Sequence, residues 1–247
     1  MELINAYLHF KVGAAVCSVP YFNNKTLRSR GALNALVGKG SPKEILDEAE
    51  TLVFKNHIKL DAFADESLKK ILVDNNIGID CSALAFYVLD TESQAQDRGP
   101  LKKHLEFIHA HGIKGFVASR SHPCRLTDVE TFASDLNSRP VELHEVAVAD
   151  MITMMDGSDT GERNHILVIH QIDSTDGVPT KLHYSHAVAY PEDGLYGSGV
   201  KQGVIEISKP GEPLLSQRWI ENGLEGADNR IFARAQRSKT QLRRLKW

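Results

Sequence analysis

The feature that most constrains this chain is a change of apolar period near its middle. In the first part, apolar residues recur every three or four positions, the spacing of helices with one buried face. Ser41-Pro42-Lys43-Glu44 is a helix start, with Ser41 as cap, Pro42 at the first helical position and Glu44 closing a capping box. It predicts a helix to about Phe54. Further helices are predicted over Glu66 to Val73, from Asp80 or Cys81 onward, and over Leu101 to His111. Later the pattern turns strand-like. Val141 to Val148, Met151 to Met155, His165 to Ile172, Leu182 to Tyr190, Val204 to Ile207 and Ile231 to Ala235 read as strands. Between them lie turn-rich segments such as Asp156-Gly-Ser-Asp-Thr-Gly161 and Asp173-Ser-Thr-Asp-Gly177. Helices first and consecutive strands later predict an α+β fold with an antiparallel sheet.

With 247 residues, 42% of them hydrophobic and 25% charged, the chain can bury a full core as one domain, with room for an insertion. A formal net charge of −3 gives no general attraction to nucleic acid or to anionic membranes. The tail from Arg234 to Trp247 is locally basic and reads as a solvated end. Three cysteines, Cys17, Cys81 and Cys124, do not make a disulfide framework and suit a reducing compartment. The N-terminus lacks a positive leader and no long apolar run is present, so a cytoplasmic location without a membrane partner is expected.

Cys81 is predicted to open a helix whose stripe is Cys81, Leu84, Ala85, Val88 and Leu89. A thiol at a helix N-terminus meets unpaired N–H groups and the positive end of the dipole, which favour thiolate and can bind an oxyanion. On its own such a cysteine is an ordinary core residue; partners downstream change that reading. His165 opens one strand, and the next carries His183 and His186. In a hairpin turning at Asp176-Gly177, His165 and His186 come close across the ladder, while His170 and His183 sit nearer the turn. His165 can then act as general base, with His186 hydrogen-bonded to its far ring nitrogen.

Gly78-Ile-Asp80-Cys81-Ser82-Ala83-Leu84 resembles the F-D-C-S-G-L signature of the NlpC-type cell-wall peptidases, a papain-like superfamily. Val148-Ala-Asp150-Met-Ile152 resembles that family's G-D-L-I strand, His165-Ile-Leu-Val-Ile169 its H-V-G-I-Y strand, and Tyr184-Ser-His186-Ala187 the strand of its third catalytic residue. The resemblance implies a papain-like core with a helical N-terminal part packed on the sheet. The substrate it implies is a small peptide or muropeptide, cut at an amide bond of peptidoglycan stem peptides, often between D-glutamate and a diamino acid. It implies Cys81 as the nucleophile, His165 as the base and His186 as the third residue, with no cofactor. By the same resemblance Asp80 and Ser82 would flank the nucleophile and help shape the substrate site. Tyr21, in Val19-Pro20-Tyr21-Phe22, resembles a site-lining tyrosine, although it lies far ahead of Cys81 in the chain. Ala83 stands where the family has glycine. The stretch from Cys81 to Asp150 is longer than usual, which implies a helical insertion over residues 91–140 in a single 1–247 domain with a 1–75 N-terminal extension. Without an export signal, the enzyme would trim imported or recycled peptides, or act on something else. The same scaffold also suits an acyl or amide transferase, or a binding module without activity.

Two further patterns carry no chemistry at this level. Gly38-Lys39-Gly40-Ser41 lacks the spacing of a phosphate loop and reads as the lead into the Ser41 cap. His104, His109 and His111, or His122 with Cys124, could ligate a metal, but no Cys-x-x-Cys or His-Glu-x-x-His is present and no metal is predicted.

Overall fold

A computed structural model describes residues 2–23, 33–58, 65–156 and 163–247. It is a mixed α+β structure whose chain divides into two compact units, Met1–Tyr87 with Ala187–Lys201, and Val88–His186 with Gln202–Trp247. Among the described residues no helix is long and apolar enough to cross a membrane. The turn expected within Asp156-Gly161 falls outside the described residues apart from Asp156 itself.

The first unit opens with α1 (Glu2–Leu8) and a small hairpin of β1 (Phe10–Val12) and β2 (Ala15–Cys17). Then come α2 (Pro42–Lys55), α3 (Asp65–Asp74) and the first turns of α4 (Cys81–Ala95). The α2 capping box is present: Ser41 N–H donates to the Glu44 carboxylate over 2.8 Å and Glu44 N–H donates to Ser41 Oγ over 3.3 Å. Ile45, Ala49 and Val53 form its buried stripe, and Leu68 and Leu72 do the same for α3. Ile4, Tyr7, Ile77 and Ile79 of the same unit are also fully or almost fully buried.

The second unit is built on an eight-stranded sheet in the order β3-β10-β4-β5-β6-β7-β8-β9. The strands are β3 (Ser138–Pro140), β4 (Met151–Met155), β5 (His165–Thr175), β6 (Val178–Val188), β7 (Gly199–Glu206), β8 (Arg218–Glu221), β9 (Leu224–Glu225) and β10 (Lys239–Leu245). The first residues of β7 and the last of β6 belong to the first unit. β3–β10, β10–β4, β4–β5, β5–β6, β7–β8 and β8–β9 all pair antiparallel. One face buries Ile152, Met154, Leu167, Ile169, Leu182, Tyr184, Ile205, Trp219 and Leu242. The unit also holds α5 (Gly112–Ser121), α6 (Pro123–Leu126), α7 (Val129–Ala133) and α8 (Arg230–Arg237).

Four expectations are corrected. Leu101 to His111 is not a helix beyond a single 3-10 turn at Leu101–Lys103. Its backbone groups bond to side chains elsewhere: Leu101 N–H donates to Asp90, Glu106 N–H donates to Asn137 Oδ1, and Asn137 Nδ2 donates back to the Glu106 carbonyl. Val141 to Val148 is not a strand. A 3-10 turn at Leu143–Glu145 lets Val141, Leu143 and Val146 reach the core from irregular backbone. Ile231 to Ala235 lies in α8, capped by Asn229, whose side chain accepts from Phe232 N–H; Ile231 and Ala235 are its buried pair one turn apart. The basic tail is not a solvated end. It forms β10, where Arg243 is 3% exposed and donates to Asp135, Ser138 and Gln241, and Arg244 grips the buried Asp150 carboxylate.

Candidate functional site

In the first unit, Ile79 carries the segment that leads into α4. On one side it pairs with Tyr21: Phe22 N–H donates to the Ile79 carbonyl and Ile79 N–H to that of Pro20. On the other side it pairs with Lys39, and Asp80 N–H donates to the Gly38 carbonyl. Gly78 makes the approach possible, because a Cβ there would come within 2.4 Å of the Pro20 carbonyl oxygen. Tyr21, remote from Cys81 in sequence, is thereby brought beside the segment that ends in the cysteine.

Cys81 is the first residue of α4 and is 6% exposed. Asp80 caps the helix, accepting from Ala83 N–H over 2.8 Å and from the Ser82 hydroxyl over 2.8 Å. Lys39 Nζ lies 2.9 Å from the Asp80 carboxylate and donates to Ser82 Oγ over 2.7 Å. Asp80, 6% exposed, and Ser82, 4% exposed, therefore spend their polar atoms on fixing the helix start. Lys39 was not singled out as a site residue. The Gly-Lys-Gly that feeds the α2 cap was its only signal, and Gly38 there takes φ +73°.

In the second unit, β5 and β6 form the expected hairpin, with Asp176 and Gly177 at the turn and both at positive φ. Val168 lies opposite Ser185. By the period of two, His165 shares its face with Leu167 and Ile169, and His186 shares the same face with Tyr184 and Leu182. The two imidazoles are diagonal neighbours, and His165 Nε2 lies 2.8 Å from His186 Nδ1. His165 is 2% exposed and His186 wholly buried.

The third member is Glu221 of β8, which the sequence analysis missed. Its Oε2 lies 2.8 Å from His186 Nε2 and accepts from the Tyr184 hydroxyl over 3.1 Å. β7 runs between, and Gly203, the register partner of Glu221, keeps the way open: a Cβ there would lie 2.2 Å from Tyr184 Oη. The network assigns the tautomers. The Glu221 carboxylate takes the Nε2 hydrogen of His186, so His186 Nδ1 accepts from His165 Nε2–H. The lone pair of His165 then sits on Nδ1. Burial first, then the Arg234 charge and the neighbouring His186, push the His165 pKa well below its ordinary value, so this imidazole is neutral at neutral pH. His170 is also pushed down, to about 4, mainly by burial and by His183. His183 itself bonds to Asp173 over 3.0 Å.

The residues singled out from the sequence therefore form two groups. Tyr21, Asp80, Cys81 and Ser82 gather in the first unit, and His165 and His186 in the second. No disulfide joins Cys17, Cys81 or Cys124. Compared with protein-family models, with curated proteins and with solved structures, the chain matches none.

Proposed function

We propose that this protein is a papain-like, NlpC-type cysteine hydrolase that cleaves an amide bond of a small peptide, a peptidoglycan-type stem peptide being the substrate class. The observation that carries the reading is the buried relay His165–His186–Glu221, which defines an oriented neutral imidazole with its lone pair on Nδ1. Isolated core histidines have no need of a carboxylate two strands away; a base that must keep one tautomer does. A cysteine opening a capped helix is the matching nucleophile.

In the proposed reaction His165 Nδ1 takes the Cys81 thiol proton as the sulfur attacks the amide carbonyl. Backbone N–H groups at the start of α4 are the donors proposed for the developing oxyanion. Imidazolium His165 then protonates the leaving amine as the C–N bond breaks. A water deprotonated by His165 attacks the thioester, releasing the acid and restoring the thiol. Glu221 stabilises the positive charge carried through His186.

The test uses defined muropeptides and iodoacetamide. Cys81→Ala should abolish both hydrolysis and labelling at position 81. Glu221→Gln should slow hydrolysis at least about tenfold, a fraction of the 10²–10⁴ that a positioned base supplies. Full hydrolysis by Cys81→Ala ends the proposal. An acyl-enzyme resolved by added amines in preference to water would make the protein a transferase instead.

A further inference from the structure

The geometry points to a divalent transition-metal site, of zinc type, formed by His109, Asp128 and Glu130 in the second unit. His109 Nε2 lies 3.3 Å from Asp128 Oδ2 and 3.1 Å from Glu130 Oε2, and the three donor atoms all fall within 4.8 Å of one another. Ligand atoms about 2.0–2.2 Å from a tetrahedral zinc stand roughly 3.3–3.5 Å apart, so the two distances to His109 are close to those of a coordination shell. A cation at the point the three groups share would take one oxygen from each carboxylate and the lone pair of the imidazole nitrogen.

Both carboxylates are also held by their outer oxygens. Asp128 Oδ1 accepts from Thr131 N–H and from the Thr131 hydroxyl, each over 2.8 Å, as the cap of α7. Glu130 Oε1 accepts from Asn164 Nδ2 over 3.1 Å. These bonds fix each carboxylate, as hydrogen bonds to metal ligands do, and leave one oxygen of each turned to His109. The donors are one imidazole and two carboxylates, a borderline-hard set that suits zinc and its neighbours over the soft thiophilic ions. With side-chain exposures of 52%, 29% and 45%, the three are open to an arriving ion. Three protein ligands leave a fourth position for water or a partner group. Asn164 immediately precedes His165, so an ion bound through Glu130 also braces the peptide that opens β5. The proposal does not depend on the reaction proposed above.

The experiment is zinc titration of chelator-stripped full-length protein, read by calorimetry and by zinc content after gel filtration. One zinc per chain is expected. His109→Ala should lose that equivalent, and Asn164→Ala, which keeps all three ligands, should bind about 10–100-fold more weakly. No stoichiometric uptake by the wild type overturns the proposal. So does unchanged uptake by His109→Ala, which would assign the zinc to other histidines or to the thiols.

Discussion

At Ala149 a side chain sits in a conformation that favours glycine. Its φ is +71°, in a bulge where Ala149 N–H donates to the Ile169 carbonyl and Ile169 N–H donates to that of Asp150. A non-glycine residue in the left-handed region costs roughly 1–2 kcal/mol. Ala149→Gly removes that cost but loosens the unfolded chain and gives up a buried methyl, so a net gain of about 0.5–1 kcal/mol is expected. Denaturant unfolding at unchanged m checks it; a lower midpoint would show that the methyl matters more than the strain. One residue on, Asp150 is 1% exposed and takes two bonds from Arg244. Arg244→Ala leaves that carboxylate with the Ala147 N–H as its remaining observed donor and should cost about 3 kcal/mol, as breaking buried pairs does.

At the scale of elements, the relay depends on a strand that contributes nothing to it but space. Gly203→Ala places a methyl against the Tyr184 hydroxyl and 2.8 Å from the Ile220 carbonyl, and β7 has backbone neighbours on both sides. The strand cannot move aside easily, so a loss of about 1–3 kcal/mol is expected. The Tyr184–Glu221 bond should break as well, and Tyr184→Phe then adds little further destabilisation in the Gly203→Ala background. Full additivity of the two changes would show that the bond survives. The β5–β6 hairpin was readable beforehand, since its turn and its two imidazoles are fixed by neighbours along one stretch of chain. Glu221 was not. It lies on another strand, in a run whose apolar pattern gives no sign of chemistry, and only Gly203 marked the gap it reaches through.

At the scale of the molecule, buried neutral histidines couple stability to pH. His165 and His170 both have folded pKa values below the ordinary 6.5. Below pH 6.5 the unfolded chain binds protons that the native state does not, so stability falls as pH drops. For His170 the loss runs from about 6.5 down to about 4; for His165 it continues lower. Each histidine contributes at most about 1.4 kcal/mol per pH unit, and His170, partly in water, contributes less. His170→Gln should therefore flatten the profile of unfolding free energy between pH 6.5 and 4.5. An unchanged slope in that variant would mean that His170 titrates normally when folded.

The amino-acid sequence alone determined what neighbours along the chain decide. The capped α2, a helix opening at Cys81, the hairpin that joins two histidines and the α+β class all follow from period, caps and turn residues acting within a few positions. The tertiary structure decided what distant segments do to each other. It set Tyr21 and Lys39 on either side of Ile79, gave Glu221 to His186, and turned a basic tail into the strand between β3 and β4. The physical reason is shared by these cases. A polar or charged side chain looks solvated in sequence until a remote partner desolvates and satisfies it, as Asp135 and Ser138 do for Arg243.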